Sequence, residues 1–352
     1  MTYILSMINR IHGLDLARFF AFMGMVIVNF KVAMPVEKDF LWQYANVLDG
    51  KAAAIFVILA GIGVSLGAKK LKVKVLLKRA TFLFVIGLIN STIFEADILH
   101  YYGVYLVIGA FLLSRSNSTL LIFSIGSILL SFCFLWFFDY SAGWDWERLV
   151  YLDFWRPSGF LRNLFFNGFH PTLPWISFLL LGMWIGRQDI TNRQFQVRMG
   201  LVGGFFFLVC ESTSRLLIFI LADFTPDLRL EDIAALFGTT PMPPNIFYIV
   251  ASSGIAVMVI STCLIIAEKF SDSMFLKPLL KTGKLALTLY IAHIIIGMGT
   301  LEVMGRLKEK QSMSFVLLSA LIFCIFSIIF SIIWLRFFKQ GPIEGIMRKL
   351  TS

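Results

Sequence analysis

Ten apolar runs, near residues 14–33, 51–68, 75–93, 98–113, 118–138, 173–186, 197–221, 245–267, 285–304 and 314–335, decide what this chain can fold into. A bilayer-spanning helix takes about 20 predominantly apolar residues, because each backbone polar group must find its partner within the segment once water is gone. Of the 352 residues, 58% are hydrophobic and 15% charged, which supplies that many spans with short polar connections. A soluble globular fold, a disordered chain, a coiled coil and a collagen-like repeat are excluded. The expected fold is all-α, a polytopic membrane helical bundle of about ten helices forming one integral membrane domain over 1–352. The run 173–186 is short, which predicts a tilted or partly re-entrant segment.

The formal charge of +10 comes from 31 Lys and Arg spread over the connections rather than gathered on one face. It reads as a topology signal, and no nucleic-acid partner is expected. An even number of spans puts both termini on one side. That side includes Lys69, Lys70, Lys72, Lys74, Lys78 and Arg79 and carries about twice as many Lys and Arg as the other. Both termini are therefore expected in the cytoplasm; Arg306, Lys308 and Lys310, in the segment 305–313, run against the rule. Two outward loops are long, 139–172 and 222–244. The first holds Trp144, Trp146, Tyr151, Phe154, Trp155, Phe160, Phe165, Phe166 and Phe169. It predicts an interfacial helix or lid on the outer leaflet, with a sugar-stacking or lipid-acceptor surface as the functional alternative. The second carries Asp223, Asp227, Glu231 and Asp232 against Arg229, and its Pro241, Pro243 and Pro244 mark where the eighth span begins. Cys133, Cys210, Cys263 and Cys324 lie inside apolar runs at no metal-like spacing, so they read as packing residues and no metal is expected. The first run carries Asp15 and Arg18 and lacks a cleavage site, the pattern of a retained span rather than a signal peptide.

Ionisable groups inside spans are costly and are functional candidates by default. Asp15 and Arg18 lie three apart on one helical face and serve either as an interfacial pair or as a site for an acidic ligand. Asn29 and Lys31 lie near the other end of that span. Asp97 and His100 open the fourth span, Glu211 and Arg215 form a matched pair in the seventh that reads first as structural glue, and His293 stands alone in the ninth. The expected topology brings Asn29, Asp97, His100 and His170 towards one membrane face, with His170 introducing the sixth span ahead of Trp175. A histidine beside a carboxylate suits a general base, and an Asn amide can hold an acyl carbonyl or oxyanion. In Gly61-Ile-Gly63-Val-Ser-Leu-Gly67, Gly63 and Gly67 have the spacing of close helix packing rather than of a dinucleotide loop. The sequence has no Gly-x-x-x-x-Gly-Lys-Ser/Thr, His-Glu-x-x-His or Gly-x-Ser-x-Gly, so ATP-driven transport, zinc hydrolysis and soluble-type serine hydrolysis lose support.

Several stretches resemble a known group. Arg10-Ile-His-Gly-Leu-Asp15-Leu-Ala-Arg18-Phe, with ten residues between Arg18 and Asn29, is similar to the opening of the YeiB-like membrane proteins and of heparan-alpha-glucosaminide N-acetyltransferase. Asp97-Ile-Leu-His-Tyr-Tyr-Gly-Val, Leu173-Pro-Trp-Ile-Ser-Phe-Leu-Leu-Leu-Gly182, Gly283-Lys-Leu-Ala-Leu-Thr-Leu-Tyr290-Ile-Ala-His293 and Gly341-Pro-Ile-Glu344-Gly-Ile-Met-Arg348 resemble later motifs in the same order. One departure stands out. The N-acetyltransferase has a catalytic His about eleven residues beyond the Asn, where this chain has Phe40, and no His lies between His12 and His100.

The resemblance implies a transmembrane O- or N-acyltransferase of a bacterial cytoplasmic (inner) membrane, in which cytosolic acyl-CoA, with acetyl-CoA as co-substrate, delivers its acyl group to an outward hydroxyl or amine. The acceptor would be a glycan, glycolipid or other envelope component, the other partners membrane lipids, and a homo-oligomer is open to it. In this reading Arg18 positions the donor, Asn29 the acyl carbonyl, and His100 with Asp97 acts as base; Asp15, His170, Trp175, Glu211, Arg215 and His293 are candidate binding residues. A transporter or lipid flippase with Glu211, Arg215 and His293 along its path is the alternative, and a nonenzymatic scaffold a third.

Overall fold

The computed structural model describes residues 10–68, 72–225, 229–270 and 272–352. Lys69, Lys70 and Asp227, three of the charges weighed above, lie outside the described residues. Of the described residues 75% are helical. In order, the helices are α1 (His12–Ala33), α2 (Phe40–Ala45), α3 (Lys51–Gly67), α4 (Val73–Ser91), α5 (Leu99–Leu112), α6 (Asn117–Phe137), α7 (Pro157–Arg162), α8 (Thr172–Ile185), α9 (Arg193–Phe224), α10 (Leu230–Phe237), α11 (Ile246–Phe270), α12 (Leu276–Gly283), α13 (Ala286–Ala292), α14 (Gly299–Val303), α15 (Met313–Phe337) and α16 (Pro342–Thr351). Two π-helical turns, Asn163–Asn167 and His293–Met298, extend α7 and α13.

All ten apolar runs form helices, but not ten equal spans. Among the described residues seven helical segments are long and apolar enough to cross a bilayer, or eight if Pro157–Asn167 and Thr172–Ile185, bent 48° at their break, make one span. The first turns of α4 carry Lys74, Lys78 and Arg79, and α5 has 14 residues. That is about 21 Å of helix, short of a hydrocarbon core of about 30 Å. The broken span matches the expectation for 173–186: Pro171 and Pro174 interrupt the helix, and Leu173 takes an extended conformation.

α1 is the central post, packed against α3, α11, α12 and α15. Only 6% of the apolar window of α9 is buried, against 61% for α1, so α9 lies at the rim with its phenylalanines outward. Outward Phe137, Phe219 and Val303 would be a liability in water and suit a hydrocarbon solvent. Small residues let helices meet at the backbone. A Cβ at Gly61 would collide with the Leu179 carbonyl, and one at Gly182 with the Ile58 carbonyl, which locks α3 to α8. This corrects the expectation for Gly63 and Gly67, because Gly63 has open space beside it and both border a cavity.

The loop 139–172 is not a single interfacial helix. Trp144–Asp145 and Val150–Tyr151 pair as a short antiparallel hairpin. Arg162 ties it to α7, giving hydrogen bonds to the Tyr151 hydroxyl at 2.8 Å and to both Asp153 carboxylate oxygens at 2.9 and 2.8 Å. The start of α11 falls where the prolines predict, with Asn245 Oδ1 accepting the Tyr248 N–H at 3.0 Å. The cations of 305–313 are partly neutralised, Arg306 by Glu309 at 3.3 Å and Lys310 by Glu37 at 3.9 Å.

Candidate functional site

Two cavities open towards opposite ends of α1. The first, about 680 Å³, lies at the amino end of α1 and has apolar walls from α1, α3, α4 and α5. Arg10, Arg18, Arg79 and Lys284 bring positive charge to it. Asp15, fully buried, accepts from Arg10 Nε at 2.5 Å, from a second Arg10 nitrogen at 2.9 Å and from Arg18 at 2.8 Å, so one carboxylate orients two guanidinium groups. The buried Nε of Arg79 has no hydrogen-bond partner among the described residues. Burial, with the adjacent Arg10 charge in the same direction, holds the Lys284 ammonium below its ordinary value.

The second cavity, about 1150 Å³, lies at the carboxyl end of α1. Gly50, at φ +69°, makes the tight turn into α3 and sets Asp49 and Lys51 on either side of it. Asp49 accepts from Lys31 Nζ at 2.6 and 2.7 Å, and Asn46 Oδ1 accepts at 2.6 Å. Glu211 and Arg215 line this same cavity, with Lys51 and Trp42.

Between the cavities lies a buried polar pair. The α1 residues lining the first cavity end at Met25 and those lining the second begin at Lys31; Asn29 falls in the interval. Its Nδ2 lies 2.9 Å from His293 Nε2, and both side chains are buried. His293 opens the π-helical turn, a distortion frequent at functional sites. Its Nδ1 sits against the Tyr290 carbonyl, so Nδ1 carries the proton and the Nε2 lone pair faces Asn29. One turn earlier Tyr290 lines the first cavity and donates its hydroxyl to Asp97 Oδ1 at 3.0 Å.

The predicted constellation is therefore brought together in part. Asp97 accepts from Asn90 Nδ2 at 2.6 Å, from the Leu99 N–H at 2.7 Å and from Tyr290, and is linked through Tyr290 to His293 and on to Asn29. His100 lies 3.8 Å from Asp97, its Nδ1 is 3.2 Å from Ser91 Oγ, and its buried Nε2 has no partner among the described residues. It packs on Tyr101 and Phe154 and borders neither cavity. His170 follows in the same aromatic stack, 5.8 Å from the Tyr101 ring and 4.7 Å from that of Trp175. Arg79 belongs to the basic cluster that the sequence offers for CoA phosphates, whereas Tyr290, Lys51 and Lys284 are not among the sequence-based candidates. Lys51 carried a readable signal, being an ionisable residue at the start of an apolar run; Tyr290 showed none beyond its motif.

Among the described residues no group of His, Cys, Asp and Glu could hold a metal ion. No curated protein matches the chain, and no solved structure does. Residues 235–352 match a family described as protein of unknown function (DUF418), the YeiB-like family. Residues 10–224, more than half of the chain, match the family described as heparan-alpha-glucosaminide N-acetyltransferase, catalytic. The polar pair joins the two matched regions, Asn29 coming from one and His293 from the other. With the helical bundle and the buried pair between two cavities, this chain belongs to the heparan-alpha-glucosaminide N-acetyltransferase catalytic family, a transmembrane acetyltransferase-like family.

Proposed function

We propose that the protein moves an acyl group, acetyl in the first instance, from acyl-CoA in the first cavity to a hydroxyl or amine in the second. The acceptor is a glycan, glycolipid or other envelope component outside a cytoplasmic membrane. The observation that carries this reading is the Asn29–His293 pair in the interval between two cavities at opposite ends of α1. The excess of Lys and Arg on the side of the first cavity favours a cytoplasmic opening for it. The lining suits a CoA thioester: its volume falls within the range of about 300–1,000 Å³ typical of small-molecule sites, its walls suit an apolar arm, and Arg10, Arg18, Arg79 and Lys284 offer donors to phosphates.

In the transfer, His293 Nε2 takes the proton of the acceptor hydroxyl or amine as the acceptor oxygen or nitrogen bonds to the thioester carbonyl carbon. The Asn29 amide, turned from His293, donates to the oxyanion. The C–S bond then breaks, and the imidazolium gives its proton to the departing thiolate. Asp97 holds Tyr290, whose carbonyl fixes the His293 tautomer. In this reading His293 takes the role expected above of His100: neither histidine lines a cavity wall, but His293 pairs with Asn29 in the α1 interval between the two cavities, whereas His100 packs against Tyr101 and Phe154.

The test compares His293→Ala with His100→Ala in acetyl transfer and in acetyl-CoA binding. Expected is a loss of transfer of about 10²–10⁴-fold for His293→Ala with binding retained, the usual range for a general base, and a smaller loss for His100→Ala. Equal transfer by His293→Ala and wild type would remove the assignment. Absence of acetyl-CoA binding to folded wild type would favour the transporter.

A further inference from the structure

The second cavity contains a buried cation with unused hydrogen-bonding capacity. Lys31, on the same cavity wall, is saturated, its three donors going to Asn46 and to both oxygens of Asp49. Lys51 differs. Its side chain is 8% exposed, and its nearest carboxylate oxygen, Glu211 Oε1, is 3.9 Å away, beyond hydrogen-bond distance. That oxygen already accepts from the Thr239 hydroxyl at 2.9 Å. Arg215 stands 3.7 Å from the other oxygen of Glu211, again too far for a hydrogen bond. Lys51 and Arg215 thus share one carboxylate and make no hydrogen bond to it. Four cations, Lys31, Lys51, Arg148 and Arg215, border the cavity with three carboxylates, Asp49, Glu147 and Glu211. Lys31 is matched by Asp49 and Arg148 reaches Asp145 at 3.9 Å, while the carboxylate within 4 Å of Lys51 and of Arg215 is the same Glu211. Among the described residues the Lys51 ammonium has no hydrogen-bond acceptor while its side chain is largely removed from solvent, so an oxyanion entering the cavity finds free N–H donors in a poorly solvated setting.

The geometry points to an anion-recognition site in the second cavity, where Lys51 and Arg215 hold a carboxylate or phosphate carried by the acceptor beside the hydroxyl or amine that is acylated. This rests on the acyl-transfer reading for the identity of the ligand as acceptor, though the anion site itself stands on the geometry of Lys51, Glu211 and Arg215. The acceptor class narrows accordingly, from any envelope hydroxyl or amine to an acidic glycan unit or a phosphate-bearing glycan or lipid headgroup. Trp42, whose ring is 5.8 Å from Lys31 Nζ, gives the cavity a flat aromatic wall against which the apolar face of a sugar ring can lie.

The experiment is equilibrium binding to the detergent-purified full chain of two matched probe pairs. Methyl glucuronide against its neutral methyl ester tests a carboxylate source, and glycerol 3-phosphate against glycerol tests a phosphate source. Expected is saturable binding of at least one anionic member, with its neutral counterpart at least ten-fold weaker and Lys51→Gln weakening the anion about ten-fold. Glu211→Gln removes the competing carboxylate and is expected to tighten anion binding several-fold, a sign that general loosening of the cavity would not produce. Equal binding within both pairs, no binding of either anion, or weaker anion binding by Glu211→Gln would overturn the site. Acetyl-CoA binding measured on the same preparations separates the two ideas: its absence with anion binding intact sinks acyl transfer alone, and the reverse pattern sinks the anion site alone.

Discussion

Asn29 and His293 were each visible in the sequence, one by its spacing from Arg18 and the other as a lone histidine in an apolar run, but their meeting was not. They are 264 residues apart, and nothing local in either segment encodes the other. Asp97 and His100 looked the stronger base because three residues separate them. Asp97 instead spends its oxygens on Asn90, the Leu99 N–H and Tyr290, a choice set by tertiary neighbours. A pH prediction follows at Lys284, whose ammonium burial holds below the ordinary lysine value. Its depressed value means that the charge is present at low pH and is lost, as pH rises, earlier than for an exposed lysine. Acetyl-CoA affinity is accordingly expected to fall on the alkaline side below the usual lysine range, as read by a titration of affinity against pH. Lys284→Arg, whose charge persists, should move that fall to higher pH.

At the scale of elements the ten apolar runs and the proline-marked start of α11 were legible, because hydrophobic length and missing backbone donors act locally. Which glycine packs was not, since Gly61 and Gly63 differ only in what stands opposite. Gly61→Leu drives a side chain into the backbone of α8 and should destabilise the protein by at least about 1–3 kcal/mol, the cost of overpacking, seen as a drop in thermal midpoint. Gly63→Ala should leave the midpoint within about 0.5 kcal/mol equivalent of wild type and act on acetyl-CoA affinity instead, because Gly63 borders the first cavity. A second element-scale device is the C-terminal helix. Glu344 of α16 accepts the N–H groups of Leu287 at 3.0 Å and Thr288 at 3.1 Å and the Thr288 hydroxyl, capping α13 from another segment. Glu344→Ala should cost about 0.5–2 kcal/mol, as other cap deletions do, and also slow transfer, because α13 carries Tyr290 and leads into His293. Thermal unfolding and a transfer assay on the same sample would show both effects or refute the link.

For the whole molecule, composition alone made a helical membrane bundle the expected fold, whereas the pair of cavities arises from how α1 is surrounded and has no sequence signature. Along α1 the interval from Met25 to Lys31 is six residues, about 9 Å of helix rise. Water filling both cavities would leave this interval, rather than about 30 Å of hydrocarbon, as the insulator, so most of the transmembrane voltage would drop across it. One elementary charge crossing the full potential exchanges about 2.3 kcal/mol per 100 mV. A proton passing between the acceptor and the departing thiolate by way of His293 travels within that field. Acetyl transfer in sealed proteoliposomes should therefore change rate when a potassium diffusion potential is imposed, with opposite signs for opposite polarities, whereas a catalyst lodged at one membrane face would be indifferent. The short interval between two cavities, apolar but for the Asn29–His293 pair, makes this bundle an electrical element as well as a chemical one.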